Sequence, residues 1–400
     1  MCEIKIIDAP MGKGKTQSII HKMNKDLEHN YIYITPFLSE VERIKESCKG
    51  RKFIEPEKYG TKTKGLEYLI LNNRNIATTH SLFKYATEQL KTLLQSNKYI
   101  LCLDEVMDVI QEVDVKKGDL EILLKNELIT VADNGLVTWN EDKEEFQSRY
   151  NDIKELCRNN HVYLIRDKML IWLFPIEIFE MFEEVYVMTY LFKGQIQKYY
   201  YNMFKIKYEY YHVKKELNTY KIKKGYNDYN NGQSYKNLIH IIQEDKINSI
   251  GNKDTALSVS WFKNSNNAIL VKQLQKNLLN FFTNKVKSNS KNNLWTTFKK
   301  YKSKLTGNGY ARGFISLSLR ATNDYASRSC LAYCSNRYIN PMIVGFFKDN
   351  NIDIDEDMYA LSEMLQWIFR GAIRNNKEIN IYIPSSRMRN LLIRWLNNKI

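Results

Sequence analysis

The chain of 400 residues holds only six prolines, six cysteines and six histidines. So little proline excludes proline-rich spacers and collagen-like repeats. The cysteines are scattered, and the one close pair, Cys330 and Cys334, has no second pair or histidine cluster near it. A disulfide scaffold and a zinc site are therefore not expected, and free thiols in a reducing cytoplasm are. Long apolar runs are also missing. Crossing a bilayer takes roughly 18 residues, and the nearest stretch, Met169 to Phe182, is broken by Glu177 and Glu180. A phosphate-binding motif begins within ten residues of Met1, so no targeting leader is expected. No membrane partner is expected either, and the location read from these absences is cytoplasmic. Acids are scarce in one region above all: residues 246–348 carry 17 Lys and Arg but only Asp254 and Asp324 as acids. Residues 1–200 hold 28 basic against 31 acidic groups and residues 201–400 hold 32 against 14, so the formal charge of +15 arises in the second half. A hundred residues so depleted of acid call for a polyanion, most simply nucleic acid.

What is present centres on Ala9-Pro10-Met11-Gly12-Lys13-Gly14-Lys15-Thr16. The run leaves an apolar strand, Ile4–Ile7, and enters an amphipathic helix, Thr16–Met23. Strand, glycine-rich turn and helix make a phosphate-binding loop, because the first helical N–H groups converge on an anion. Gly12 and Gly14 let the backbone wrap that anion without an intervening Cβ. The loop from Pro10 to Gln17 is thus the candidate nucleotide cradle, with Lys15 reaching the β- and γ-phosphates and Thr16 placing its hydroxyl on Mg²⁺. Ala9 stands where the common pattern has glycine.

A second apolar run, Tyr99–Leu103, ends in Asp104-Glu105. The expected roles are Asp104 in the Mg²⁺ shell and Glu105 as the base that orients and deprotonates the attacking water. Between these motifs, strands at Tyr31–Ile34 and Asn75–Thr78 alternate with helices from about Ser39, near Gly65–Leu71 and over Ser81–Leu94. Such alternation predicts an α/β fold with a mostly parallel sheet. Residues 108 to about 184, with a hairpin at Ile129–Trp139, read as an insertion before another buried strand, Glu184–Met188. In the second half, strands are expected at Lys205–Val213, Ala256–Trp261, Phe314–Leu319 and Ile379–Ile383, and helices over Met358–Ile373 and Ser386–Leu396.

With these elements in place the chain resembles the superfamily 2, DEAD/DEAH-like helicases, and phage-encoded members in particular. The resemblance implies two tandem RecA-like domains, 1–198 and a basic 199–400, with ATP and Mg²⁺ in the cleft and nucleic acid across both. Thr35-Pro36 and Thr78-Thr79-His80 match elements that touch the nucleic-acid backbone. Asp104-Glu105-Val106-Met107 matches the Asp-Glu-Ala-Asp-type motif without its fourth acid, and Met188-Thr189-Tyr190 loosely matches the Ser-Ala-Thr-type coupling motif. Gln366 to Arg374 matches the Gln-x-x-Gly-Arg-x-x-Arg-like helix, with Phe369 replacing the glycine and the second arginine one residue late. Gln366, Arg370 and Arg374 are implied to complete the catalytic site, and either arginine can be the finger. The segments Leu319–Tyr325, Asn336–Pro341 and Ile383–Arg387 carry the phage likeness and place Arg320, Thr322 and Asn323 on nucleic acid.

The implied activity is ATP-dependent helicase or translocase work, on DNA ahead of RNA, in phage replication, recombination or repair. Phage or host replication proteins are further partners the resemblance admits, in a host cytoplasm if the chain is phage-encoded. One alternative is a packaging-type motor ATPase, which needs clustered carboxylates for a two-metal nuclease. Six of the second half's 14 acids fall between Asp353 and Glu378, which counts against it. The other is a degenerate helicase core serving as a nucleic-acid scaffold. With eight residues ahead of Ala9, no adenine-reading segment is expected upstream of the loop, so the sequence supplies no base selectivity.

Overall fold

The structure, a computed structural model, describes residues 2–59, 61–83, 86–143, 150–217, 219–226, 232–317 and 324–400. The first domain begins with β1 (Glu3–Asp8), β2 (Asn30–Thr35), β3 (Ile76–Thr79) and β4 (Tyr99–Asp104). β2, β3 and β4 are buried along almost their whole length, as strands covered on both faces must be, and β1 is too, except that its buried Lys5 is paired with Glu184 at 2.6 Å. The insertion supplies β5 (Ile110–Glu112), β6 (Ile129–Val131), β7 (Leu136–Trp139), β8 (Val162–Ile165) and β9 (Met169–Leu173). The chain then re-enters the main sheet through β10 (Glu184–Thr189), β11 (Tyr208–Glu216) and β12 (Thr219–Lys224).

The main sheet has seven strands in the order β12-β11-β1-β10-β4-β2-β3. Every neighbouring pair is parallel except the β11–β12 hairpin. The phosphate-loop strand β1 is therefore interior, with the Asp-Glu strand β4 two positions away on one side and the hairpin on the other. The insertion forms a separate antiparallel sheet, β5-β9-β8-β7-β6, which includes the expected hairpin at Ile129–Trp139. The second domain contributes β13 (Ile239–Ile241), β14 (Asn293–Thr296), β15 (Cys330–Tyr333) and β16 (Ile379–Tyr382). They form an all-parallel sheet in the order β13-β16-β15-β14. The α/β class with two tandem domains, mostly parallel sheets and an insertion in the first thus holds. Among the described residues no helix is long and apolar enough to cross a membrane.

Several expectations change. The domain boundary expected at 198/199 lies inside the first domain, because Tyr208–Tyr211 pair with Ile4–Ile7 and extend the main sheet as far as Lys224. Ala256–Trp261 is not a strand: Leu257 takes φ 62°, and Ser258 caps the helix Val259–Lys263 by accepting from Trp261 N at 3.3 Å. A short buried apolar run cannot by periodicity alone separate strand from helix. The helix expected over Ser81–Leu94 starts at Glu88, where Thr87 accepts from Leu90 N at 3.1 Å. The strand expected at Phe314–Leu319 reduces to a single bridge between Phe314 and Trp295, and residues 318–323 lie outside the described residues. The helix expected over Met358–Ile373 ends at Ile368. There the chain turns, pinned by Ala372 N donating to Arg328 O at 2.8 Å.

Removing β11 and β12 would leave β1 as an open edge with Ile4 and Ile6, both buried in the core, next to solvent. A fragment 1–226 should show a cooperative thermal transition by circular dichroism, and a fragment 1–198 should aggregate or unfold without one.

Candidate nucleotide site between the domains

The carboxyl ends of β1, β10 and β4 are laced together by main-chain hydrogen bonds. Ala9 N donates to Thr189 O at 3.0 Å, and Glu105 N donates to Met188 O at 2.9 Å. Asp8, buried at the end of β1, accepts from Leu191 N at 2.8 Å and Phe192 N at 3.0 Å. Burial pushes its carboxyl up to about 6, with those two N–H groups pulling the other way. The loop after β10, where the coupling element was expected, is thereby fixed to the root of the phosphate loop.

Gly12 and Gly14 take φ 81° and 87°, the left-handed values that a loop wrapping an anion requires. Lys15 leads the helix Lys15–Lys25 and is buried, its ammonium donating to the carbonyls of Ala9 and Pro10. Burial lowers its proton affinity, and Glu105, Asp104 and Asp8 raise it. The Thr16 hydroxyl donates to Asp104 Oδ1 at 3.5 Å, and Tyr33 from β2 donates to Asp104 Oδ2 at 2.9 Å. Burial raises the Asp104 carboxyl above the usual carboxylate range, and the Tyr33 hydrogen bond opposes it. Glu105 follows at φ 83°, a strained value for a side chain with a Cβ and of the kind kept where a site needs it.

The second domain closes this cleft. Gln366, Phe369, Arg370 and Arg374 line it together with Gly12, Gly14, Lys15, Thr16, Asp104 and Glu105. The turn after Ile368 carries both arginines to it. Arg370 is buried and donates to Ser316 O at 3.3 Å. Arg374 sits against the phosphate loop: a Cβ on Gly12 would stand 3.3 Å from its carbonyl oxygen. Burial lowers the guanidinium's proton affinity, and Glu40 raises it. Glu40 and Arg43, paired at 2.8 Å, line the cleft as well. The sequence reading missed both, and Tyr33 with them. They stand on the helix after β2 and on β2 itself, and no local pattern ties them to a motif near residue 15.

Not every expected residue comes to a surface. Thr35 and Thr78 are buried at the ends of β2 and β3, which takes their side chains out of reach of a backbone ligand, and Pro36 and Thr79 beside them are half-buried. Thr79 accepts from Lys62 at 2.9 Å. The side chain of His80, and Arg320, Thr322 and Asn323, lie outside the described residues. The two later segments of the phage likeness do converge. Arg387 donates to Asn336 Oδ1 at 3.0 Å, Arg337 O at 2.7 Å and Asp357 Oδ1 at 2.8 Å, which gives that arginine a structural part.

A Mg²⁺ ion fits this donor set. One carboxylate and one hydroxyl already face each other at Asp104 and Thr16, and a hard cation takes its remaining oxygens from phosphates and water. Among the described residues no group of three or more His, Cys, Asp or Glu could hold a metal by itself.

Comparison with known proteins places the chain beside a prophage protein. It is 43% identical over 427 aligned positions to the SPbeta prophage-derived protein YonV of Bacillus subtilis (strain 168), covering 100% of both chains. Residues 233–396 match the YonV C-terminal Rossmann-like domain, and residues 110–172 match the YonV middle domain. These limits coincide with the second α/β domain and the inserted antiparallel sheet. Similar solved structures include an XPD helicase at 10% identity and TM-score 0.46, covering 100% of this chain and 95% of that one. Xpd4 of S. tokodaii is similar at 13% identity and TM-score 0.47, covering 98% and 93%. The DUF1998 helicase MrfA, in a structure bound to DNA, is similar at 9% identity and TM-score 0.34, covering 99% and 46%.

Tyr33→Phe removes the hydroxyl that steadies the Asp104 carboxylate. Groups that orient a metal ligand are typically worth 10–100-fold, so Mg²⁺ titrations of nucleotide binding should shift to about 10-fold higher Mg²⁺ in this variant.

Proposed function

The chain belongs to the YonV family, and we propose that it is an ATP-driven helicase or translocase acting on DNA. The observation that carries this reading is the cleft, where Lys15, Thr16, Asp104 and Glu105 of one domain face Gln366, Arg370 and Arg374 of the other. Hydrolysis would then require the domains to be closed, which is how a nucleotide site drives motion between two bodies. The loop amides and Lys15 would cradle the phosphates. Thr16 and Asp104 would hold Mg²⁺, which neutralises charge on the β- and γ-oxygens when bound. Glu105 would orient a water and accept its proton as the oxygen attacks the γ-phosphorus and the bond to ADP breaks.

Arg374, placed against the loop and electrostatically coupled to Asp104 and Glu105, is the better finger. Its guanidinium would meet charge that spreads over the γ-phosphoryl oxygens in the transition state. Arg370, tied to Ser316 O, would instead pass the state of the cleft to the segment that follows. The track is a polyanion: residues 246–348 pair 17 basic groups with two acids, and phosphate contacts of that kind carry little sequence preference. A full-length prophage relative favours DNA, in phage replication, recombination or repair within a host cytoplasm.

Steady-state ATP hydrolysis should be measured with no polynucleotide, single-stranded DNA, duplex DNA and single-stranded RNA. One form of DNA should raise turnover. Lys15→Ala should lose about 10²-fold or more by removing a preorganised cation, and Arg374→Ala about 10³-fold in kcat with ATP binding kept. Turnover indifferent to every polynucleotide, or retained in Lys15→Ala, would sink the motor reading.

A further inference from the structure

The β11–β12 hairpin has no part in the cleft chemistry above, yet it leans on the phosphate loop. β11 pairs with β1 only as far as Tyr211 opposite Ile7, then runs on to Glu216. At roughly 3.3 Å per residue, the ribbon stands on the order of 15 Å beyond the carboxyl edge of the sheet, where ligands of parallel sheets bind. β12 returns beside the loop with Tyr220 opposite Lys215. Tyr220 and Ile222 point to the same face by the alternation of a strand. Ile222 packs against the cluster containing Ile19 and Ile20 of the helix Lys15–Lys25. One step further out, the Tyr220 ring lies on Gly14: a Cβ there would stand 2.5 Å from ring carbon Cε1 and 2.8 Å from Cγ. Gly14 is thus required twice, for its φ of 87° and for the closeness of this ring. Tyr220 itself remains partly exposed.

Strand order sets the direction in which a bound nucleotide runs. The metal and base carboxylates are on β4, which lies across β10 from β1, so the γ-phosphate end must point that way. The nucleoside end then leaves the loop on the opposite side of β1, and β11 and β12 are what stand there. Resting on the nucleotide reading above, we propose that Tyr220 is the nucleoside platform: its ring stacks on the base of the bound nucleoside triphosphate. Recognition by a π-face serves any base, since every base has one. The downstream hairpin would thereby supply the contact to the nucleoside.

The test is equilibrium binding of ATP and of inorganic tripolyphosphate to the full chain, by calorimetry with Mg²⁺, for wild type, Tyr220→Ala, Tyr220→Phe and Lys15→Ala. Stacking of one base on an aromatic ring predicts about 10-fold weaker ATP binding in Tyr220→Ala. Tripolyphosphate binding should be unchanged there, and Tyr220→Phe should match wild type for both ligands. Unchanged tripolyphosphate binding also shows that the loop of the variant is intact. Equal loss of both ligands in Tyr220→Ala would overturn the proposal by making the ring a prop for the loop. ATP binding as tight as wild type, or tighter, would overturn it by making the ring a bystander or a cover. Absence of ATP binding to wild type, or binding that survives Lys15→Ala, would instead bring down the nucleotide reading, and this inference with it.

Discussion

The Lys15 ammonium is buried in the wall of the cleft between the domains, and much of the molecule follows from what compensates it. Two carbonyls of its own loop accept its protons, and the carboxylates of Asp8, Asp104 and Glu105 surround it. A buried cation is tolerated only when such partners are fixed in place. The fixing comes from the main chain of three adjacent strands, bonded to one another at the point where each ends. Those same carboxylates are crowded and dry, so each has its own support: Asp104 from Tyr33 and Thr16, Asp8 from two backbone N–H groups.

The second domain is held against this cluster at several places far apart in sequence. Arg374 abuts Gly12, Lys13 lies 5.7 Å from the centre of the Tyr235 ring, and Trp395 donates to the Tyr190 hydroxyl at 3.0 Å. A further contact runs through the insertion. Phe347 is buried in the first domain's core cluster, and Arg166 makes a two-pronged ion pair with Asp349 at 2.8 and 2.9 Å. The insertion is thus a strut that touches the helix Pro341–Asp349 as well as an outgrowth of the first sheet. Because Tyr190 follows the strand end that is bonded to Ala9 and Asp8, a shift of the phosphate loop bears on the second domain through packed groups.

Legibility in the sequence followed the range of the interaction that made each feature. β1, the phosphate loop and the helix after it were readable because strand period, glycine turn and helix period occur within 25 residues. β4 with Asp104-Glu105 was readable as an unbroken apolar run ending in acids. β13, β14 and β15 were missed: each is a short apolar run whose period alone does not separate strand from helix, and its burial comes from neighbours distant in sequence. The expected arginine helix was right as far as Ile368. The turn that then delivers Arg370 and Arg374 depends on a hydrogen bond to Arg328, some forty positions upstream.

By itself the sequence determined the α/β class, the glycine-rich turn between β1 and the helix after it, the pair of acids at the end of β4, and a second half in which basic residues far outnumber acids. Each is a property of composition or of residues within a few turns of one another. Tertiary structure alone decided that the first sheet continues through β11 and β12, that Arg374 rather than Arg370 lies against Gly12, and that Glu40, Arg43 and Tyr33 surround the acids. It also set Tyr220 on Gly14, across two hundred positions of sequence. Those placements follow from strand order and from the packing of one domain on another, and neither is encoded in any local period of the chain.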